Sequence, residues 1–245
     1  MRLKDYFKKA QREKFAIGQF NFSTLEQLRG ILAAAKKMKH PVILGTSGGE
    51  VNYLGLKQVV ALVEIEKMRY KVDAFLNLDH AKDLDYIKKA IDFGYSAVHF
   101  DGSDLALEKY IKYGKKILEY AHKRNVLVEG AFPGVDSFTV EIGSVHGIHK
   151  DVKLDFEKLR EIRKNTDAFL VLHGGSGIPG VQIRKVIKSG IVKININTEL
   201  RLAWKRALAK SLKTQEIKPY KILPKTQKAV QEKVESKLKL FNSRI

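Results

Sequence analysis

Three of the chain's seven histidines close short apolar runs in a way that suits metal binding. His80 follows Asp79 at the end of Ala74-Phe-Leu-Asn-Leu-Asp79, His146 sits in Gly143-Ser-Val-His-Gly147, and His173 ends Phe169-Leu-Val-Leu-His173. Neutral imidazoles delivered from three strands, with one coordination position left open, make the ligand set of a catalytic zinc ion. One histidine at a strand end is more often a hydrogen-bonded structural residue; three at equivalent ends argue together. His40 and His122 lie near helix ends and read as surface residues, and His149 is a reserve ligand. His99 lies mid-strand, with its ring directed either into a barrel or against a helix. Asp79 is the best general acid–base. Neighbours on a strand point to opposite faces, so it must turn at the strand end to join His80, and an aspartate there can instead cap a helix.

A second group of residues reads as an anion site. His173-Gly-Gly-Ser-Gly177 follows a strand and precedes a helix, and Asn195-Ile-Asn-Thr198 ends the next strand and opens another. Glycines let backbone N–H groups approach a phosphate, and a helix N-terminus adds a favourable dipole.

The elements that must carry these residues are short β-rich runs alternating with helical stretches. The runs are 16–21, 42–47, 74–79, 97–102, 126–130, 139–144, 169–174 and 193–198, and most end in a polar or small residue. Helices are predicted near 3–13, 24–38, 54–70, 83–93, 106–124, 155–164, 180–189 and 198–212, with a basic C-terminal helix at about 224–241. Such alternation implies parallel pairing, and eight units imply an α/β (β/α)8 TIM-type barrel whose strand ends converge on one mouth. Residues 1–245 read as one domain of this type. One interval breaks the pattern: only eight residues lie between Gly130 and Thr139, Pro133 and Gly134 among them. The crossover helix after the fifth strand is therefore expected to be missing. Either an extended loop spans that wall or a flanking run is not a strand.

Composition narrows the classes. The chain has 245 residues and 44% apolar content, enough for one sizeable core. No run approaches a membrane span, the opening Met1-Arg-Leu-Lys-Asp-Tyr6 lacks a signal-peptide core, and the absence of cysteine suits a cytoplasmic protein. The net charge is +19, and residues 201–245 hold 13 Lys/Arg against 3 Glu, a net of +10. That favours anionic partners, phosphorylated metabolites ahead of nucleic acid because no RNA-binding motif with interleaved aromatics is present. A solvated lysine-rich surface is the plainer alternative.

From Lys4 to about Phe241, with one large gap, the sequence resembles the class II, metal-dependent fructose-bisphosphate and tagatose-bisphosphate aldolase family. The segments that carry the resemblance are Ile17-Gly-Gln-Phe-Asn-Phe-Ser23, Pro41-Val-Ile-Leu-Gly-Thr-Ser47, Leu76-Asn-Leu-Asp-His80, Phe100-Asp-Gly-Ser103, Gly143-Ser-Val-His-Gly147, Leu172-His-Gly-Gly-Ser-Gly177 and Lys193-Ile-Asn-Ile-Asn-Thr-Glu-Leu-Arg201. The resemblance implies that His80, His146 and His173 hold zinc, or another divalent metal, with a monovalent cation as an optional companion. It makes Asp79 the acid–base for the aldol hydroxyl. Asn195 would meet the dihydroxyacetone part of a phosphorylated sugar, and Gly174, Ser176, Asn197 and Thr198 would cradle its phosphate. Asn21 and Ser47 would line the substrate channel, with Asp101 and Glu129 behind the ligands or as alternative metal contacts. The implied reaction is reversible retro-aldol cleavage of a ketose 1,6-bisphosphate, most plausibly fructose 1,6-bisphosphate, to dihydroxyacetone phosphate and glyceraldehyde 3-phosphate, as in glycolysis. A homodimer or higher homo-oligomer is implied on the same ground.

Two departures stand out. After Val128-Glu129 the family continues with a second glutamate, a mobile glycine-rich loop bearing a proton-shuttling glutamate, and a crossover helix. Here Ala131 takes the second glutamate's place, and loop and helix are absent. Glu141 is a candidate substitute, but its place inside a predicted strand argues against it. Near the C-terminus, Lys218-Pro-Tyr-Lys221 replaces a family Asp-Pro-Arg, leaving Lys221 as a point charge for the distal phosphate. The alternative function is a catalytically impaired or regulatory barrel that binds metal and sugar phosphate.

Overall fold

The computed structural model describes residues 1–145, 147–148 and 152–242. In chain order the elements are α1 (Leu3–Glu13), β1 (Ile17–Asn21), α2 (Leu25–Met38), β2 (Val42–Ser47), α3 (Gly48–Leu54), α4 (Leu56–Tyr70), β3 (Ala74–Ala81), α5 (Leu84–Phe93), β4 (Ala97–Phe100), α6 (Leu107–His122), β5 (Leu127–Gly130), β6 (Ser137–Val140), α7 (Phe156–Lys164), β7 (Phe169–Leu172), α8 (Gly180–Lys188), β8 (Ile191–Ile196), α9 (Thr198–Ser211), α10 (Pro219–Ile222) and α11 (Pro224–Phe241). The eight strands close into a barrel in sequence order, all pairs parallel, with β8 joined back to β1. This is the TIM-type (β/α)8 architecture expected from the alternation.

Strand chemistry explains the closure. β1, β4, β5, β7 and β8 are buried along their whole length, because one face meets the barrel interior and the other meets helices. The helices show matching local signals. Thr24 caps α2 by accepting the Gln27 N–H at 3.2 Å, and Leu28, Ile31, Leu32 and Ala35 form its buried face. Across the N-terminal end, α1 packs Leu3, Phe7 and Ala10 against Ile17, Ile43, Leu127 and Phe169. The basic α11 packs against α2 and α9, burying Val230, Val234, Leu238 and Phe241. No helix among the described residues is long and apolar enough to cross a membrane.

Three local expectations are corrected. The helix predicted at 54–70 starts at Leu56, after Gly55 with φ +87°, and a separate short helix, α3, precedes it where none was predicted. The sixth strand starts two residues earlier than predicted and ends at Val140, so Glu141 stands exposed just past it. His40 is buried, not superficial; its Nδ1 lies 2.9 Å from the Pro41 carbonyl and its ring packs against Phe15.

The β5–β6 wall confirms the missing helix. Residues 131–136 alone join the two strands, which still pair in parallel. Six extended residues reach roughly 20 Å, enough to run back along a four-residue strand of roughly 13 Å. Phe132 fills the space, with its ring 5.2 Å from Tyr110 and 6.2 Å from Phe100. A Cβ on Gly114 of α6 would come within 2.5 Å of the Phe132 ring, so only glycine allows that packing. The return is pinned at both ends: the Ala131 N–H donates to the Tyr110 hydroxyl at 2.7 Å, and the Asp136 carboxylate accepts from the Val128 N–H at 3.0 Å.

Candidate functional site

The mouth at the C-terminal strand ends gathers most of the residues singled out from the sequence. Asn21, Ser47, Asp79, His80, Gly174, Ser176, Asn195, Asn197 and Thr198 line one cavity, joined by Gly147 and Arg201. His146 and His149 lie outside the described residues. Three larger hollows, one at the N-terminal face beside Tyr95, one outside the β5–β6 wall and one between Lys37 and α11, contain none of Asp79, His80, His99 or His173.

How Asp79 and His80 both reach the mouth is a matter of strand irregularity. The β3–β4 register shifts between Leu78 and Ala81, and His80 takes φ +52°. A left-handed conformation costs a non-glycine residue roughly 1–2 kcal/mol, and it breaks the alternation that would separate two neighbouring side chains. Asp79 is almost wholly buried; its Oδ2 accepts from Asn21 Nδ2 at 3.0 Å and its Oδ1 from Asn195 Nδ2 at 3.5 Å. Burial alone would raise its pKa, but the neighbouring His173, His80 and Lys193 outweigh that and hold it below the ordinary range. Asp79 is therefore held as a carboxylate.

Three imidazoles meet beside it. The rings of His80, His99 and His173 are 4.6–4.9 Å apart, centroid to centroid. With Asp79, each offers a ligand atom within 4.8 Å of the others. His99 thus points into the barrel, one of the two directions its mid-strand position allowed. Burial pushes its pKa down to about 3, so the ring stays neutral.

The hydrogen bonds around His80 and His173 test whether a metal fits. His173 Nε2 lies 2.6 Å from Glu129 Oε1, and His80 Nδ1 lies 3.0 Å from Asp101 Oδ2. Burial raises the pKa of both carboxyls, but Glu129 is held well down by Lys193 and His173, and Asp101 is held down by His80 and the Ser103 N–H. Ionised carboxylates only accept, so the ring protons sit on His173 Nε2 and His80 Nδ1. The other nitrogens, His173 Nδ1 and His80 Nε2, carry lone pairs and are 3.1 Å apart. Ligands about 2.0–2.1 Å from a tetrahedral zinc stand roughly 3.3 Å from one another. The donor set therefore fits a divalent ion, oriented from behind by two carboxylates as metal-binding imidazoles usually are.

Other polar groups set the rest of the site. Asn195 and Asn197 each keep a buried carbonyl oxygen without a hydrogen-bond partner, a cost of about 1–3 kcal/mol apiece that a ligand hydroxyl would offset. Gly174 is left-handed at φ +64°, and a Cβ there would come within 2.6 Å of the Val145 carbonyl oxygen. The Gly175 N–H is already given to the Asn195 carbonyl and the Gly177 N–H to Glu199, so the candidates for anion contact in this turn narrow to Gly174, Ser176 and the start of α9. Glu199 beside it is neutralised by Lys237 at 2.5 Å and Lys233 at 3.5 Å, which gives two lysines of α11 a local purpose.

Sequence reasoning missed four residues. Glu50 is 6% exposed and takes hydrogen bonds from Asn21, the Ser47 N–H, Asn197 and Arg201. Its spacing from Ser47 was the available signal: Ser47 and Glu50 form a capping box on α3. Ser47 therefore caps a helix as well as lining the mouth. Lys193 is 2% exposed with its ammonium 2.5 Å from Glu129 Oε2. It shares a strand face with Asn195, and that parity would have placed it. His99 shares parity with Asp101 in the same way. Arg201 reaches the mouth while bonded to Glu50 at 2.8 Å. Lys221 does not line the mouth and is paired with Glu216 at 3.4 Å.

A parallel barrel whose mouth holds paired imidazoles, an ionised aspartate and a glycine turn at a helix start has the donor set of metal-dependent enzymes that act on phosphorylated compounds. The sequence model described as fructose-bisphosphate aldolase class-II matches residues 1–133 and 130–244, and the chain belongs to that family. It is an aldolase, an enzyme of the lyase class. The two matched pieces meet at the short β5–β6 return. The chain is 35% identical to the 6-phospho-5-dehydro-2-deoxy-D-gluconate aldolase of Shouchella clausii, over 96% of this chain and 92% of that one. It is also 35% identical to the fructose-bisphosphate aldolase of Geobacillus stearothermophilus, over 98% and 96%. That second alignment spans 276 positions against 245 residues here, so at least 31 positions have no counterpart in this chain. Among solved structures, the YdjI aldolase from Escherichia coli K12 superposes with a TM-score of 0.90 at 27% identity, covering 99% of this chain and 97% of that one.

Proposed function

We propose that the protein is a zinc-dependent aldolase that cleaves fructose 1,6-bisphosphate reversibly to dihydroxyacetone phosphate and glyceraldehyde 3-phosphate. The observation that carries this reading is the convergence of His80 Nε2 and His173 Nδ1, 3.1 Å apart, beside an ionised Asp79. His80 and His173, with His146, would hold the metal. When bound, zinc supplies a Lewis acid that polarises the ketone and stabilises the negative charge left by carbon–carbon cleavage. Asp79 takes the C4 hydroxyl proton during cleavage and returns it during condensation. Asn21 and Asn195 hold that carboxylate in place. Asn195 and Asn197 turn their unpartnered carbonyl oxygens to substrate hydroxyls. Gly174, Ser176 and Thr198 hold one phosphate, and Arg201 supplies the cation at the mouth that Lys221 was expected to supply.

The test is a coupled assay for glyceraldehyde 3-phosphate with fructose 1,6-bisphosphate, tagatose 1,6-bisphosphate and 6-phospho-5-dehydro-2-deoxy-D-gluconate as rival substrates, the last assayed through dihydroxyacetone phosphate. Cleavage of the fructose substrate that is lost with chelator and restored by zinc is expected. Faster cleavage of a rival reassigns the substrate, and restoration only by another divalent ion reassigns the metal.

A second reading is favoured by the six-residue β5–β6 return, which leaves no room for the loop glutamate. In it the barrel binds metal and sugar phosphate without appreciable turnover, and the assay shows calorimetric binding without product. A homodimer belongs to either reading. α9 buries only Leu200 and Ser211, while Leu212, Ile217 and Tyr220 beyond it are exposed, a surface that suits a second copy and is checked by light scattering.

A further inference from the structure

The obvious reading of the imidazole cluster makes His99 another metal ligand. The register says otherwise. β3 and β4 pair Asn77 with Ala97 and Leu78 with Val98, then resume at Ala81 with Phe100. Between those points two residues of β3, Asp79 and His80, face a single residue of β4, His99. That two-against-one count is a β-bulge, a device that re-aims side chains beside active sites. His99 Nδ1 accepts the backbone N–H of His80 at 3.3 Å, at the residue with φ +52°. The same nitrogen is 4.0 Å from Asp79 Oδ1, and the ring is 5% exposed.

We infer that His99 is a positioning residue: it receives the His80 amide proton and so fixes the left-handed turn that brings Asp79 and His80 to one point. A neutral imidazole has one donor and one acceptor nitrogen. With Nδ1 accepting, the ring proton is on Nε2, and no lone pair remains for an ion. The fourth group of the cluster is a strut for the metal site. This rests on the metal reading above, and the experiment separates the two.

Zinc affinity is measured by chelator competition on metal-free wild type, His99→Asn and His99→Met, together with the cobalt absorption spectrum and hydrogen exchange of the His80 amide. Asparagine places an acceptor oxygen near the position of Nδ1; methionine does not. The expected result is zinc affinity within about threefold of wild type for His99→Asn, with an unchanged cobalt spectrum and a protected His80 amide. His99→Met should bind zinc about 10–100-fold more weakly, the range for losing a group that orients a ligand, with faster His80 exchange. Wild-type affinity in His99→Met overturns the proposal. So does a His99→Asn protein as weak as His99→Met with an altered cobalt spectrum, which would make His99 a ligand. If His99→Met does not fold, wild type and His99→Asn still decide: an unprotected His80 amide in wild type overturns the proposal. If wild type binds no zinc, the metal reading fails, and the amide exchange still reads the bulge.

Discussion

Two walls of the barrel treat irregularity in opposite ways. The β3–β4 wall carries one residue more than regular pairing allows, and the extra residue makes the site, because it lets Asp79 and His80 face the same point. The β5–β6 wall lacks a whole crossover helix, yet the strands still pair and Phe132 closes the gap. The difference teaches where precision is needed. A ligand set tolerates no slack in direction, whereas a wall needs only volume filled and backbone groups paired.

The largest expected effect tests the chemistry of the first wall. Asp79→Asn should lower kcat by about 10²–10⁴-fold while leaving zinc affinity within a few-fold; a parallel loss of zinc would make Asp79 a ligand and not a base. Next comes the charge behind His173. Lys193→Met strands Glu129 in the interior and should cost about 3–5 kcal/mol in urea unfolding, and adding Glu129→Gln should recover part of that loss. If the single variant is as stable as wild type, the pair does not hold the carboxylate. The wall without its helix should separate stability from chemistry. Phe132→Ala should cost about 3–5 kcal/mol as well, at the lower end because the site opens to solvent, with zinc affinity unchanged. A drop in zinc affinity there would show that the two walls are coupled, and would end the comparison.

Much of this was legible in the sequence. The strand-end positions of His80, His173 and Asn195, the glycine turn after His173 and the eight-residue gap before Thr139 are local patterns, and local patterns record which face of an element is buried. The gap even announced the missing helix. What stayed hidden depends on neighbours across the sheet. Glu50 is three residues from Ser47 but its partners Asn197 and Arg201 come from the other end of the chain. Lys193 reads as one more lysine among many until β8 lies across from Glu129.

The sequence by itself determined the barrel, the strand ends that meet at its mouth and the place of His80 and His173 among them, since burial period and residue chemistry are properties of single elements. Only the tertiary structure decided that Asp79 and His80 share a direction, that His99 turns inward to the His80 amide, and that Arg201 and not Lys221 stands at the mouth. Those outcomes follow from register and bulge placement between strands, and a one-residue slip in register reverses every side chain.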